Sequence, residues 1–319
     1  MKLGMITDSL AALPFDEVLD ISMRLGLDMI ELGCGNWSSA PHIDIDRLIS
    51  SEQVRKELCA KVRGHGLTIS ALNCSGNPVH PGAHGRKHDE VTRKTIRLAS
   101  LLGVERVVMM SGCPGAPGDS SANWITTEWP LEVREILRWQ WDEVLTPYWL
   151  DLIRYANDLG IRKLCIELHG HQNVYNVATL HKLRDRVGET VGANFDPSHL
   201  FWMGADPFAA IRALGPAIYH VHAKDTRIEP VAAGFNGLIE TLPGDQFQAR
   251  AWNYITLGYG HGEQWWRQFC AALAAVGYDD VLSIEHEDFI MTPIEGVEKS
   301  VSFLKDVAFN LPSRGEARL

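Results

Sequence analysis

The chain repeats one unit eight times: a short β-rich run, a polar loop, then an amphipathic helical stretch, often closed by glycine. The strand-like runs are Lys2–Thr7, Met29–Leu32, Thr68–Asn73, Arg106–Ser111, Lys163–Leu168, Gly192–Phe195, Ile218–His222 and Val281–Glu285. The helical stretches that follow them are Phe15–Leu25, Glu52–His65, Asp89–Leu102, Trp139–Leu159, Val177–Val187, Pro207–Leu214, Glu263–Val276 and Ile294–Ala308. Strands alternating with helices call for a parallel sheet, and eight such units suit a sheet closed on itself. An open doubly wound sheet is the rival. It would more often carry a glycine-rich dinucleotide loop after the first strand, where this chain reads Thr7-Asp8-Ser9-Leu10-Ala11-Ala12. The expected class is therefore α/β, a single (β/α)8 TIM barrel over residues 1–319, with 312–319 a loose tail.

Composition narrows the partners. Thirty basic residues stand against forty acidic ones, a formal charge of −10, which repels polyphosphate and argues against nucleic acid or an anionic membrane. No window is apolar over the ~18 residues that a membrane-spanning helix needs. The first residues, Met1-Lys2-Leu3-Gly4-Met5-Ile6, run directly into a strand without the features of a signal peptide. Six scattered cysteines, at 34, 59, 74, 113, 165 and 270, form no Cys-x-x-Cys pair and read as reduced thiols. A cytoplasmic protein is expected, with Cys74 and Cys165 as small core residues.

The long loops follow strands two, three, four and seven, on the rim where barrel active sites are built. The segment after strand seven, Asp225–Gly262, exceeds ordinary loop lengths and holds Phe235, Phe247, Trp252, Tyr254 and Tyr259, which suggests a lid or substrate wall. Charged residues close strands five to eight. By alternation Cys165, Glu167 and His169 share a face, as do Asn194 and Asp196, then His220, His222 and Lys224, then Ser283, Glu285 and Glu287. One strand-end carboxylate is ordinarily a loop anchor or an ion-pair partner. Glu167, Asp196, His222 and Glu285 on four successive strands are different, because three carboxylates converging on one mouth repel unless a cation neutralises them. Three oxygen donors and one imidazole suit Mn2+, Mg2+ or Co2+, and less well Zn2+. The competing reading is a buried ion-pair network built on Lys224.

These segments, Ile166-Glu167-Leu168-His169, Asn194-Phe195-Asp196-Pro197-Ser198-His199, His220-Val221-His222-Ala223-Lys224-Asp225 and Ser283-Ile284-Glu285-His286-Glu287, resemble the xylose-isomerase-like TIM-barrel superfamily. That superfamily holds sugar isomerases, ketose epimerases, inosose-processing enzymes and the apurinic-site endonucleases. The resemblance covers nearly the whole chain. It implies that Glu167, Asp196, His222 and Glu285 bind the metal, that His199 contacts a substrate hydroxyl, and that Glu167 and Glu285 double as the acid/base pair. Where ketose epimerases carry an arginine six residues past the metal histidine, this chain has Ile228. The run Asn73-Cys74-Ser75-Gly76-Asn77-Pro78-Val79-His80-Pro81 and the tryptophans Trp124, Trp129, Trp139 and Trp141 are similar to a subset acting on glycosides oxidised at the third sugar carbon.

The expected function is a divalent-metal-dependent isomerase or epimerase of a keto-sugar or related polyol, working by α-proton abstraction to an enediolate. A keto-glycoside lyase would use the same enediolate and expel a β-substituent. An apurinic-site endonuclease would need an Asp-x-His pair after strand seven, where Asp225-Thr226-Arg227 stands. A sugar-binding barrel without catalysis would have no use for a complete ligand set. His169 is a further acid/base or substrate candidate, against a supporting role behind a ligand. Lys224, His80 and Trp124 are candidate substrate contacts, with His84 beside His80 in the third loop. Trp139 and Trp141, two apart on a helix, cannot face the same way, so at least one is packing. A homo-oligomer is expected, and the resemblance leaves room for a small second subunit.

Overall fold

The structure is a computed structural model that describes residues 1–309, so the tail expected at 312–319 lies outside the described residues. The strands are β1 (Lys2–Ile6), β2 (Met29–Gly33), β3 (Thr68–Asn73), β4 (Arg106–Met109), β5 (Lys163–Glu167), β6 (Val191–Phe195), β7 (Ile218–Ala223), β8 (Asp225–Ile228), β9 (Trp252–Ile255) and β10 (Val281–Ile284). Eight of them close a barrel in the order β1-β10-β7-β6-β5-β4-β3-β2, each pair parallel. The helices are α1 (Phe15–Arg24), α2 (Ile45–Ser50), α3 (Glu52–Gly64), α4 (Ala83–Leu102), α5 (Glu132–Trp139), α6 (Thr146–Asp158), α7 (Val177–Val187), α8 (Pro197–Met203), α9 (Pro207–Leu214), α10 (Pro230–Asn236), α11 (Glu263–Ala275) and α12 (Pro293–Val307). The expected (β/α)8 barrel is therefore present. Among the described residues no helix is long and apolar enough to cross a membrane.

The main apolar core lies between strands and helices. It takes in Met5, Ile30, Leu72 and Leu164 from the barrel with Trp149, Trp266, Phe269 and Val301 from the helices around it. Inside the barrel there is room only for small side chains at one level, where Ala71, Val108 and Cys165 pack together. Cys74 and Cys165 are buried free thiols, as expected. Above that layer the interior turns polar, and this is the chemistry-bearing end.

Three loops differ from the sequence expectation. The segment after β7 is built around an antiparallel hairpin, β8 with β9, pairing Asp225 with Ile255 and Thr226 with Tyr254. Its anchor is Asp225, whose Oδ2 accepts the backbone N–H groups of Gly258, Gly260 and His261 while Oδ1 meets His261 Nδ1 at 2.8 Å. The carboxylate that an endonuclease would give to a metal is thus fully engaged in holding this loop. Second, α4 begins at Ala83, so His84 stands on a helix rather than in a loop. Third, the helix expected over Trp139–Leu159 opens with a wide π-helical turn at Gln140–Leu145 that buries Trp141 and continues as α6, and it is preceded by α5, which stands in the expected loop.

Candidate metal centre

Glu167 ends β5 beside Asn194 of β6, which donates from Nδ2 to Glu167 Oε2 at 2.9 Å. One residue past β6 the chain turns into α8. Pro197 sets the first helical φ, and Asp196 caps the helix by accepting the Ser198 N–H on Oδ1 at 2.8 Å. The cap occupies one carboxylate oxygen; the other, Oδ2, is buried without a hydrogen bond. His199, in the first turn of α8, is carried back over Glu167. Its Nε2 donates to Glu167 Oε1 at 2.9 Å, and lies 3.1 Å from Asp196 Oδ2. The Tyr254 hydroxyl of the hairpin holds the other ring nitrogen, Nδ1, at 2.8 Å. Stacking of Trp202 on Trp252, 4.9 Å apart and 5° from parallel, fastens α8 to that hairpin.

His222 on β7 reaches Glu285 Oε2 at 3.1 Å and Glu167 Oε2 at 3.3 Å through Nδ1. Its Nε2 donates the other way, to Glu31 on β2, at 3.0 and 3.1 Å. Glu31 is fully buried and also accepts from His220 Nε2, Asn73 Nδ2 and Ser283 Oγ, each at 2.8 Å. It fixes the tautomer and tilt of His222, so that Nδ1 faces the upper carboxylates. Ligand atoms of Glu167, Asp196, His222 and Glu285 all lie within 4.8 Å of one another.

The electrostatics follow from this crowding. Burial opposes ionisation of Glu167, yet the hydrogen bonds from His199 and His222 outweigh it and hold the carboxyl well below the usual range. Burial pushes His222 down, but the carboxylates of Glu31 and Glu285 pull it well above an ordinary histidine. Glu285 goes the other way, raised by burial despite Lys224 and His222. Lys224 is buried, yet Glu285 and Glu287 keep it strongly protonated, with Nζ 3.2 and 2.6 Å from their oxygens. Without a cation, protons on His222 and His199 neutralise the carboxylates. The donor set, with Asp196 Oδ2 meeting only the charged His199 ring at 3.1 Å, fits a divalent metal taking the place of that positive charge.

A pocket of about 310 Å³ opens on the cluster, lined by Glu167, His169, Lys224, Glu285 and Glu287 and walled by Trp37, Ser38 and Met110. The four expected ligands therefore lie together. His169 and Lys224 line the pocket, and His199 adjoins it behind Glu167. Burial and the neighbouring His199 push His169 down to about 4, so it is neutral, with Nδ1 bonded to the Gly170 carbonyl. His80 and Trp124 do not line this pocket. His80 accepts the Gly82 N–H at Nδ1 and packs against His84, while Trp124 packs edge-on against Tyr175 beside a separate small cavity.

Strand-end reasoning misses Glu31, which stands mid-strand in Met29-Ile30-Glu31-Leu32. The signal was available: a carboxylate inside an apolar barrel strand must meet buried donors or a positive charge. Tyr254 had no such signal, since its contact with His199 depends on the hairpin register.

The chain matches the model of the xylose isomerase-like TIM barrel family over residues 19–307. It is 47% identical over 308 residues to YfiH of Bacillus subtilis (strain 168), a protein described as uncharacterized, covering 96% of this chain and 98% of YfiH. Solved structures with a similar backbone include the probable 3-DHS dehydratase AsbF of Bacillus anthracis, with a TM-score of 0.66, 16% identity and 96% and 99% of the two chains covered. The IolI protein with a bound zinc atom gives 0.65 at 19% identity, and a D-tagatose 3-epimerase-like protein 0.64 at 20%, each covering 96% of this chain and 98% of the other. At such identities these likenesses are of fold.

Proposed function

Because the chain belongs to the xylose isomerase-like TIM barrel family, we propose that it is a divalent-metal-dependent isomerase or epimerase of a keto-sugar. The observation that carries this reading is the cluster itself: four donors within 4.8 Å of one another, two of which, Glu167 and Glu285, line a pocket of about 310 Å³. Glu167, Asp196, His222 and Glu285 would hold the cation, with Mn2+ the best match to three oxygens and one nitrogen and Mg2+, Co2+ or Zn2+ as alternatives. When bound, it would supply positive charge to a carbonyl oxygen and the neighbouring hydroxyl, acidifying the proton on the hydroxyl-bearing carbon.

The rest falls to the chain's own groups. Glu167 and Glu285 reach the pocket from strands on different sides of β7 and serve as the pair that removes and returns the α-proton. His199, braced by Tyr254, is placed to donate to a sugar hydroxyl, and Lys224 to hold a second oxygen. Neutral His169 offers a polar contact that does not add charge beside Lys224. Structural neighbours with epimerase and dehydratase names are consistent with a fold in which the same proton removal leads either to reprotonation or to elimination. A lyase outcome is therefore the second reading, favoured by one feature, the large cleft beside the metal pocket.

The test is proton NMR in D2O with Mn2+-loaded protein and an EDTA-stripped control, offered a panel of free ketoses and keto-glycosides. Metal-dependent deuterium uptake next to the carbonyl with the skeleton intact is the expected result. Loss of that proton with release of a substituent would make the protein a lyase. No exchange by protein shown to contain Mn2+ would overturn the enediolate reading.

A further inference from the structure

The insertion between β8 and β9 carries a helix that the rest of the described chain leaves uncovered. Helix α10 reads Pro-Val-Ala-Ala-Gly-Phe-Asn, and none of its 7 residues is buried. So short a helix is not stable by itself in water, and one that faces solvent is ordinarily written with charge. Residues 230–239 hold no charged side chain, in a chain that is 22% charged. Val231 and Phe235, four apart and so on one face, are 77% and 73% exposed, and Ile239 just beyond them is 93% exposed. A Cβ on Gly234 would meet nothing within 4 Å, so the helix presents a bare face.

The same insertion walls a hollow. Beside the metal pocket lies a cleft of about 750 Å³, more than twice its 310 Å³, and Asp8 and Glu287 line both. Its body is apolar, formed by Leu10, Ala12 and Leu13 after β1 and by Phe289 and Ile294 after β10. The hairpin contributes Tyr254, whose hydroxyl holds His199. Phe289 presses on Gly244, where a Cβ would fall 2.2 Å from its ring, so the insertion and the segment after β10 form one surface. One face of the chain therefore carries an apolar projection and an apolar hollow together.

We propose that this face is the contact between two copies of the chain, with Val231, Phe235 and Ile239 of each entering the cleft of the other. A patch that holds both projection and hollow is self-complementary about a two-fold axis, so every contact is made twice. The three side chains expose on the order of 400 Å², a large apolar patch for a lone chain. With the cleft walls, each copy approaches the ~800 Å² that one partner gives to a stable interface. The uncharged run spares the projecting element the like-charge repulsion that two chains of formal charge −10 otherwise meet. The chain's own end is a poorer occupant. Phe309 lies beside Met1, ahead of β1 at the other end of the barrel, and the ten residues after it hold two leucines as their large apolar groups.

The pairing reaches the metal pocket. Because the cleft and that pocket share Asp8 and Glu287, Phe235 of the second copy becomes part of the wall of the substrate site. The space left to a substrate shrinks toward the 310 Å³ pocket, which withdraws the one feature that favours a lyase outcome. The metal and enediolate reading does not depend on the pairing, and its own test is unaffected.

Sedimentation velocity of the purified chain tests the pairing. A dimer with a Kd of about 1 µM or tighter is expected. Phe235→Lys, at an exposed position, should weaken it about thirtyfold or more, as loss of a central aromatic anchor does. Ala12→Trp fills the hollow from another exposed position and should act in the same direction. A cross-link locates the contact. Phe235→Cys and Ala12→Cys proteins, each in a Cys59→Ser background because the other native thiols are buried, are mixed and oxidised with diamide. A disulfide-linked pair should form in the mixture and not in either variant alone. A monomer at concentrations well above that Kd overturns the inference. So does a dimer that survives both Phe235→Lys and Ala12→Trp, and so does a mixture that yields no cross-link.

Discussion

Two buried clusters share His222 and differ in what they leave undone. In the lower one Glu31 accepts from His220, His222, Asn73 and Ser283 at 2.8–3.1 Å, and both of its oxygens are occupied. In the upper one Glu167, Asp196 and Glu285 converge, an oxygen of Asp196 meets only the His199 ring at 3.1 Å, and a pocket opens on Glu167 and Glu285. Both groupings have the residue types of a metal site. Saturation separates them: a carboxylate surrounded by protein donors is structural, and one short of donors beside a cavity is poised for a ligand. On the function proposed here the lower cluster is the support that aims His222, and the upper one is the metal site.

The sharpest way to break that division is to remove one carboxylate charge from each. Glu167→Gln takes away a proposed ligand and one member of the proposed acid/base pair. It should lower turnover by about 10²–10⁴-fold from the lost base alone and reduce Mn2+ retention, read by steady-state rates and metal analysis of the purified protein. Full activity in this variant would refute the assignment of the upper cluster.

Glu31→Gln should be milder. It preserves shape but weakens the acceptor for both histidines, so Mn2+ affinity falls by about 10–100-fold while saturating metal restores much of the rate. Calorimetric Kd together with rates at excess Mn2+ checks this. If Glu31→Gln cannot be rescued by metal, the lower cluster takes part in the chemistry and the division fails.

What was legible in the sequence follows the same division. All eight barrel strands show as β-rich runs, because a strand covered on both faces is written in contiguous apolar residues. The proposed ligands of the upper cluster show because they stand at the strand ends, where alternation and chain position coincide. Glu31 is hidden by its apolar neighbours Ile30 and Leu32, which make the strand look like ordinary core. The β8–β9 hairpin is hidden for another reason: its strands are four residues each, separated by more than twenty residues, and neither carries a periodicity long enough to read. The contact between Tyr254 and His199, and the cleft that Tyr254 helps to wall, depend on that pairing and so could not be foreseen.

The smallest expected effect is on the pH dependence of metal binding, and it bears on the one residue the clusters share. Burial works against a proton on His222, but Glu31 and Glu285 together raise its pKa well above the ordinary histidine range in the metal-free protein. A cation needs the Nδ1 lone pair, so binding must expel that proton, and Glu285, itself raised by burial, adds to the demand. Apparent Mn2+ affinity should therefore weaken by about tenfold for each pH unit of acidification per proton displaced. Stability of the stripped protein runs the opposite way. A histidine whose folded pKa is raised stabilises fully below its unfolded pKa, and that contribution is lost as pH rises through the folded value. The gap in Tm between loaded and stripped protein should accordingly widen from about pH 6 to about pH 8. Affinity that does not change with pH would mean that no proton leaves His222 on binding, and would move this residue wholly into the lower, supporting cluster.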